Sequence, residues 1–309
     1  MGSPRLAATI LETLCTKLHP PLAVVTQPPK AAGRGQKLTP TAVESFAKSQ
    51  ALSLFSTANV NTPETVEALK RLAPDLILVA AFGQILRNEI LTLPRLFCLN
   101  VHASLLPKYR GAAPIQRAIW NGDRLTGITI QKMAKKLDTG AILLQRNVHI
   151  APKETSGELM DRLAYVGAEC LTEAVELIDS DKYAFTPQED SEATYAPKMD
   201  RHEAKIDWTS TAQRVFDQIR ALQPWPVAET VLGKDRLKVF KATVVENTSK
   251  SNPSPGDILT DGKTHLSVVC GDGKALSLTE IQLENRKRLD IKEFLLGFRG
   301  NFPHKKLGD

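Results

Sequence analysis

The apolar positions of this chain fall into two textures. Asp75-Leu-Ile-Leu-Val-Ala-Ala81 and Leu96 to Val101 are near-continuous apolar runs, the mark of strands buried on both faces in a parallel sheet. Pro21 to Thr26 reads as a further strand and Leu52 to Phe55 as a short one. Between these runs the spacing turns helical. From Ser3 or Pro4, Leu6, Ile10, Leu11 and Leu14 share one stripe. Thr62-Pro63 opens a helix that ends near Arg71. Thr155-Ser-Gly-Glu158 is a capping box ahead of Leu159, Leu163, Val166, Cys170 and Val175 at helical spacing. Strands alternating with helices predict an α/β domain over residues 1–187. A βα unit places a strand before its helix, and none precedes the first helix here.

The pattern changes after Tyr183. Gln188-Glu-Asp-Ser-Glu-Ala is polar, and residues 188–205 read as a linker. Ser210 is placed to cap a helix over Thr211 to Leu222, stopped by Pro224-Trp225-Pro226. Short apolar runs then recur at Val227–Leu232, Leu237–Val245, Ile258-Leu259, Leu266–Cys270 and Ala275–Leu283, separated by Gly, Asp, Asn and Pro turns. Five or six short strands predict a small closed β-barrel over residues 206–309.

The 309 residues suit two cores. With 42% hydrophobic and 24% charged residues, the composition is that of a globular protein. No apolar run approaches the ~20 residues that span a bilayer. Cys15, Cys98, Cys170 and Cys270 lack metal-ligand spacing, and Cys98 and Cys170 lie in apolar contexts that predict reduced core thiols. The formal charge of +6 favours a polyanionic partner, though a carboxylate-bearing small molecule would serve as well. Lys30, Arg34 and Lys37 stand in a glycine-flanked loop suited to RNA phosphates, and equally to solvent.

Candidate chemistry centres on the segment from Leu96 to Asp138. The strand ending at Val101 presents Asn100 and His102 at its exit, and a second apolar segment, Ile128 to Met133, leads to Asp138. Ligands of open α/β sheets bind beyond the carboxyl ends of strands. An amide can donate to a developing oxyanion, an imidazole can polarise a carbonyl or pass a proton, and a carboxylate can support the imidazole. None of the three is a covalent nucleophile, so the set suits acyl transfer to a nucleophile that arrives with the substrate. A histidine two residues after an asparagine is also compatible with a purely structural role.

The extended string Asn-Val-His-Ala-Ser-Leu-Leu-Pro, then Tyr-Arg-Gly-Ala-Ala-Pro-Ile-Gln-Arg-Ala and Leu-Asp-Thr-Gly, resembles the formyltransferases that use 10-formyltetrahydrofolate. The likeness runs over nearly the whole chain. It implies a Rossmann-like parallel-sheet catalytic domain followed by an OB-like β-barrel, with Asn100, His102 and Asp138 as the catalytic trio. Ser104, Leu105, Leu106 and Pro107 would line the tetrahydrofolate site, with Phe82 and Gly83 beside the pterin. Ala-Gly-Arg-Gly-Gln-Lys-Leu-Thr-Pro is similar to the loop by which the tRNA-acting members reach an acceptor stem, which makes Arg34 and Lys37 candidate RNA contacts. The implied reaction transfers the formyl group from 10-formyltetrahydrofolate to the amine of initiator methionyl-tRNA in a monomeric, metal-free, membrane-free protein. Its place would be the bacterial cytoplasm, or a mitochondrion or plastid. The alternatives are a small amine acceptor such as glycinamide ribonucleotide or an amino sugar, a catalytically dead RNA-binding relative, and a formyltetrahydrofolate hydrolase. Gly2-Ser3-Pro4 matches a strand-to-helix turn of these proteins, so a strand of about eight residues is expected upstream of Met1.

Overall fold

The computed structural model describes residues 1–32, 35, 37–247, 252–298 and 302–308. Arg34 lies outside the described residues. The residues form two compact units that alternate along the chain. The first holds residues 1–114, 125–149 and 160–196; the second holds 115–124, 150–159 and 197–309.

In the first unit, helix α1 (Arg5–Lys17) buries the expected Leu6, Ile10, Leu11 and Leu14. Strands β1 (Val24–Thr26) and, further on, β4 (Leu54–Ser56) form a parallel pair. Between them lie a hairpin, β2 (Lys30–Ala32) with β3 (Lys37–Thr39), and helix α2 (Ala42–Ser49). Of the residues expected in a basic loop, Lys30 and Lys37 thus lie on two short antiparallel strands. Helix α3 (Pro63–Arg71) starts as its residues dictate: Thr62 accepts from the Thr65 amide and Pro63 takes the first position. Strand β5 (Leu76–Ala80) leads to the single turn α4 (Asn88–Leu91) and then to β6 (Phe97–His102). Beyond the short β7 (Arg110–Gly111) and helix α5 (Pro114–Trp120) come β8 (Leu125–Lys132) and β9 (Ile142–His149). The central sheet runs β5-β6-β8-β9. Its β5–β6 contact is parallel, whereas β6–β8 and β8–β9 are antiparallel, so the sheet is mixed. Helix α6 (Ser156–Asp179) follows, opened by reciprocal Thr155–Glu158 bonds. Burial pushes the Cys98 thiol up to about 12 and that of Cys170 to about 11, as reduced core residues require.

Met1 and Gly2 lie between β1 and β5. Gly2 forms a parallel bridge with Ala80, and its amide donates to Val25 O at 3.0 Å. Met1 O accepts from the Ala80 amide at 3.0 Å, and the Met1 ammonium donates to Leu78 O at 2.6 Å. Below this two-residue bridge a cavity of about 620 Å³ continues between β1 and β5, walled by Ile10, Leu14, Val25, Leu76 and Leu78.

Within the first unit, residues that read as linker are tightly held. Strand β10 (Tyr195–Ala196) pairs in parallel with β7, and Thr186 bridges Ile142.

The second unit contains helix α7 (Ala212–Ala221), capped by Thr211 rather than Ser210. Its sheet runs β11 (Glu229–Leu232), β12 (Asp235–Val245), β15 (Ala275–Leu283), β14 (Leu266–Val269) and β13 (Ile258–Thr260). Strand β16 (Arg288–Asp290) adds to β15 ahead of helix α8 (Ile291–Leu296). All contacts are antiparallel. The result is an OB-like half-barrel rather than a closed one, since β11 and β13 do not pair among the described residues. Arg220, 7% exposed, binds Asp217 at 2.7 Å and the carbonyls of Glu154 and Ile119, which ties residues 115–124 and 150–159 into this unit. Ser156 Oγ donates to Gln223 O in the same way.

Candidate active site

Side chains two apart on a strand share a face, so Asn100 and His102 lie on one side of β6. Strand β8 runs antiparallel to β6, with Gln131 opposite Asn100 and Thr129 opposite His102. This corrects the expectation that Asp138 follows a carboxyl end at the same sheet edge. The chain leaves β8 beside Leu99 and doubles back, and that return brings Asp138 to His102. The His102 Nδ1 to Asp138 Oδ2 distance is 3.6 Å, and both side chains are over nine-tenths buried.

Each group of the pair is oriented by partners. His102 Nε2 lies 2.9 Å from Tyr109 O; a carbonyl only accepts, so Nε2 carries a proton. Nδ1 is then the nitrogen left to face Asp138. The carboxylate accepts from the Gly111 amide at 2.9 Å through Oδ2 and from Gln131 Nε2 at 2.9 Å through Oδ1. Asn100 is half-buried, and its side chain makes no hydrogen bond among the described residues. Its amide protons remain available to an incoming acceptor.

The backbone here sits in demanding conformations. Tyr109 has φ of +61°, a region costly for a bulky side chain, and Asp138 has φ of +51°, which an Asp tolerates better than most residues. Gly111 has φ +124°, and a Cβ there would stand 2.7 Å from Ala196 O. At Gly140 a Cβ would fall 1.5 Å from Lys132 O, so only glycine lets the returning loop close on β8.

The segment expected to line a folate site is held from behind. Thr129 Oγ1, fully buried, donates to Ser104 O at 2.7 Å and accepts from the Leu106 amide at 3.1 Å. Gln145 Nε2 bonds both Thr129 Oγ1 and Leu106 O. Ser104 Oγ donates to Lys108 O at 2.6 Å, so the hydroxyl is committed to the loop and does not point outward. Leu106 is buried, while Leu105 and Pro107 are half-buried. Phe82 has its ring in the hydrophobic core with Val25, Ile77, Val79 and Leu86. Its carbonyl accepts from Gln27 Nε2 at 2.7 Å, and exposed Gly83 turns beside it at φ +75°.

Arg110, the arginine of the Tyr-Arg-Gly string, is not turned outward to an incoming anion. It is 2% exposed and binds Gln188 and Asp190. Lys37 is exposed on β3. In the second unit, Arg288 is exposed but lies over the Phe240 ring at 4.0 Å and pairs with Glu280. Among the described residues no group of His, Cys, Asp or Glu is arranged to hold a metal, and no helix is long and apolar enough to cross a membrane.

Sequence reasoning missed Thr129, Gln131 and Gln188. Thr129 and Gln131 alternate with buried Ile128 and Ile130 in β8, where both faces are buried. A polar residue recurring every second position in such a run was the available signal.

Comparison with known proteins points one way. Residues 2–175 match the family described as formyl transferase, and residues 198–299 its C-terminal domain. The chain is 42% identical over 309 residues to a methionyl-tRNA formyltransferase of Geobacter sulfurreducens, covering all of this chain and 96% of that protein. A methionyl-tRNA formyltransferase of Caldanaerobacter subterraneus is 45% identical over 298 residues, covering 96% and 95%. Among solved structures, an N-formyltransferase from Helicobacter canadensis in complex with folinic acid and dTDP-3-aminofucose shares the fold, with a TM-score of 0.66 at 20% identity over 90% of this chain and 96% of that one.

Proposed function

The chain belongs to the formyl transferase family, and from that premise we propose how its residues perform the reaction. The protein transfers the formyl group of 10-formyltetrahydrofolate to the α-amino group of initiator methionyl-tRNA. The amine nitrogen bonds to the formyl carbon, the bond from that carbon to N10 breaks, and the proton lost by the amine ends on N10. Between these events the formyl oxygen carries negative charge. Asn100, whose amide is uncommitted, donates to that oxygen, and His102 donates from Nδ1 in its imidazolium form. Asp138, fixed by Gly111 and Gln131, supports the imidazolium and takes the amine proton through water. A free aminoacyl amine has a pKa near 8, so a neutral nucleophile is cheaply reached. A preorganised oxyanion donor contributes about 3 kcal/mol.

The observation that carries this assignment of roles is the 3.6 Å approach of His102 Nδ1 to Asp138, with Nε2 already tied to a carbonyl. The co-substrate takes its place along Leu105, Pro107 and the main chain of Ser104, Leu106, Phe82 and Gly83. Arg34 and Lys37 meet the acceptor stem, and the half-barrel carries the rest of the tRNA contact. The protein acts in a bacterial cytoplasm, a place its bacterial relatives favour, and it acts as a monomer.

The deciding experiment measures formyl transfer to charged initiator tRNA, to glycinamide ribonucleotide and to no acceptor, with uncharged tRNA as control. Product on charged tRNA alone is expected. Preference for the small amine, or formate release without an acceptor, overturns the reading.

A further inference from the structure

Gln188 stands in the polar stretch between the domain-sized patterns, where the sequence offers no sign of a core. Yet its carboxamide is the most connected side chain around the catalytic loop. Oε1 accepts from Arg110 Nε at 3.1 Å and Nη2 at 2.8 Å. Nε2 donates to Gly140 O at 2.7 Å and Asp138 O at 2.9 Å, with Gln131 Oε1 at 3.3 Å as a third, longer contact. One planar group therefore joins a buried guanidinium to both carbonyls that flank Thr139.

The orientation of that group is determined. A guanidinium only donates and a carbonyl only accepts, so the amide cannot flip without losing four contacts. Arg110 is in turn held by Asp190 at 2.7 Å. The same stretch supports the opposite side of the site: the Tyr109 amide donates to Thr194 Oγ1 at 2.9 Å, the Arg110 amide to Thr194 O at 2.9 Å, and β10 lies along Arg110 and Gly111. Tyr109 carries the carbonyl that orients His102, and Gly111 the amide that orients Asp138. Residues 188–196 thus brace both halves of the His102–Asp138 pair. Asp138 sits at φ +51°, which an Asp tolerates but does not favour over extended or helical backbone, so these contacts select the loop's conformation.

We propose that Gln188 is a positioning residue for formyl transfer: keyed on Arg110, it clamps the carbonyls of Asp138 and Gly140 and so sets the aim of the Asp138 carboxylate at His102. Gln131, which also touches Gln188, holds the other carboxylate oxygen, so one network fixes both the main chain and the side chain of Asp138. The proposal rests on the formyl-transfer reading above.

Gln188→Glu is the discriminating variant. A glutamate keeps the shape and strengthens the bond to Arg110, but it cannot donate to the two carbonyls and repels them. Gln188→Met removes both halves of the contact. The full-length variants are compared with the wild type by steady-state kinetics on charged initiator tRNA, by the pH dependence of single-turnover transfer, and by amide hydrogen exchange over residues 136–142. Displacing a catalytic group by about 1 Å costs on the order of 100-fold. Both variants are expected to lose 10- to 100-fold in kcat, with KM for either substrate within twofold. Exchange in the loop should accelerate, and the pH profile should be displaced relative to wild type. Gln188→Glu acting at the wild-type rate with an unshifted profile overturns the clamp, even if Gln188→Met is impaired. So does a loss confined to KM. A wild type that forms no formylated tRNA overturns the functional reading and the proposal with it, and the wild-type control separates that outcome from failure of the clamp alone.

Discussion

A guanidinium buried in the second unit makes the fold depend on one cation and its acceptors. Arg220, 7% exposed, donates to Asp217 Oδ1 at 2.7 Å, to Glu154 O at 3.2 Å and to Ile119 O at 3.4 Å. Arg220→Met keeps an apolar stem of similar length and removes every donor. Asp217, 3% exposed, is left with Gln213 Nε2 at 3.1 Å as its side-chain donor. Removing one partner of a buried ion pair costs about 3–5 kcal/mol, because the other charge stays buried without it. Urea unfolding measures that loss as a lower midpoint at unchanged slope. Asp217→Asn in the Arg220→Met background removes the orphaned charge, so the double variant should be more stable than Arg220→Met alone. A change under about 0.5 kcal/mol for Arg220→Met, the size of an ordinary surface substitution, refutes the reasoning. So does a double variant that recovers nothing.

Two further outcomes follow from other parts of the structure. His102→Ala and Asp138→Ala should each retain tetrahydrofolate affinity and lose turnover by at least 100-fold, the scale of a lost oxyanion donor; near-normal single-turnover transfer removes that residue from the mechanism. Thr129→Val takes away the hydroxyl shared by Ser104, Leu106 and Gln145, so it should cost about 1–3 kcal/mol in urea unfolding and weaken tetrahydrofolate binding.

The parts legible in the sequence were those written in local periodicity. The apolar runs that became β5 and β6 and the stripe of α1 each report burial within a dozen residues of themselves. The caps at Thr62 and Thr155 work at the same short range. The formyltransferase string likewise picked out His102 and Asp138, which the fold brings to 3.6 Å, because it is contiguous or nearly so. What stayed hidden was non-local. The direction of β8 depends on which strand it pairs with, and an apolar run is compatible with either sense. Gln188 acts on residues 48 to 78 positions away, so no spacing rule could single it out from its polar neighbours. The hairpin at residues 30–39 was hidden for another reason: its strands are three residues each and largely exposed, and they lack the apolar alternation that identifies a strand.

The alternation of the two units has a practical consequence for anyone who wishes to divide this protein. The helix at Pro114–Trp120 and the turn ahead of Ser156 are encoded inside the catalytic half, yet they complete the packing around Arg220. A gene cut at the linker would release a half-barrel with a buried cation facing empty space where two carbonyls had been. Recombination that exchanges the C-terminal half between relatives must therefore carry along two short stretches from the other side of the linker, or the transplanted piece will keep the Asp217 partner of its central guanidinium but lose two acceptors.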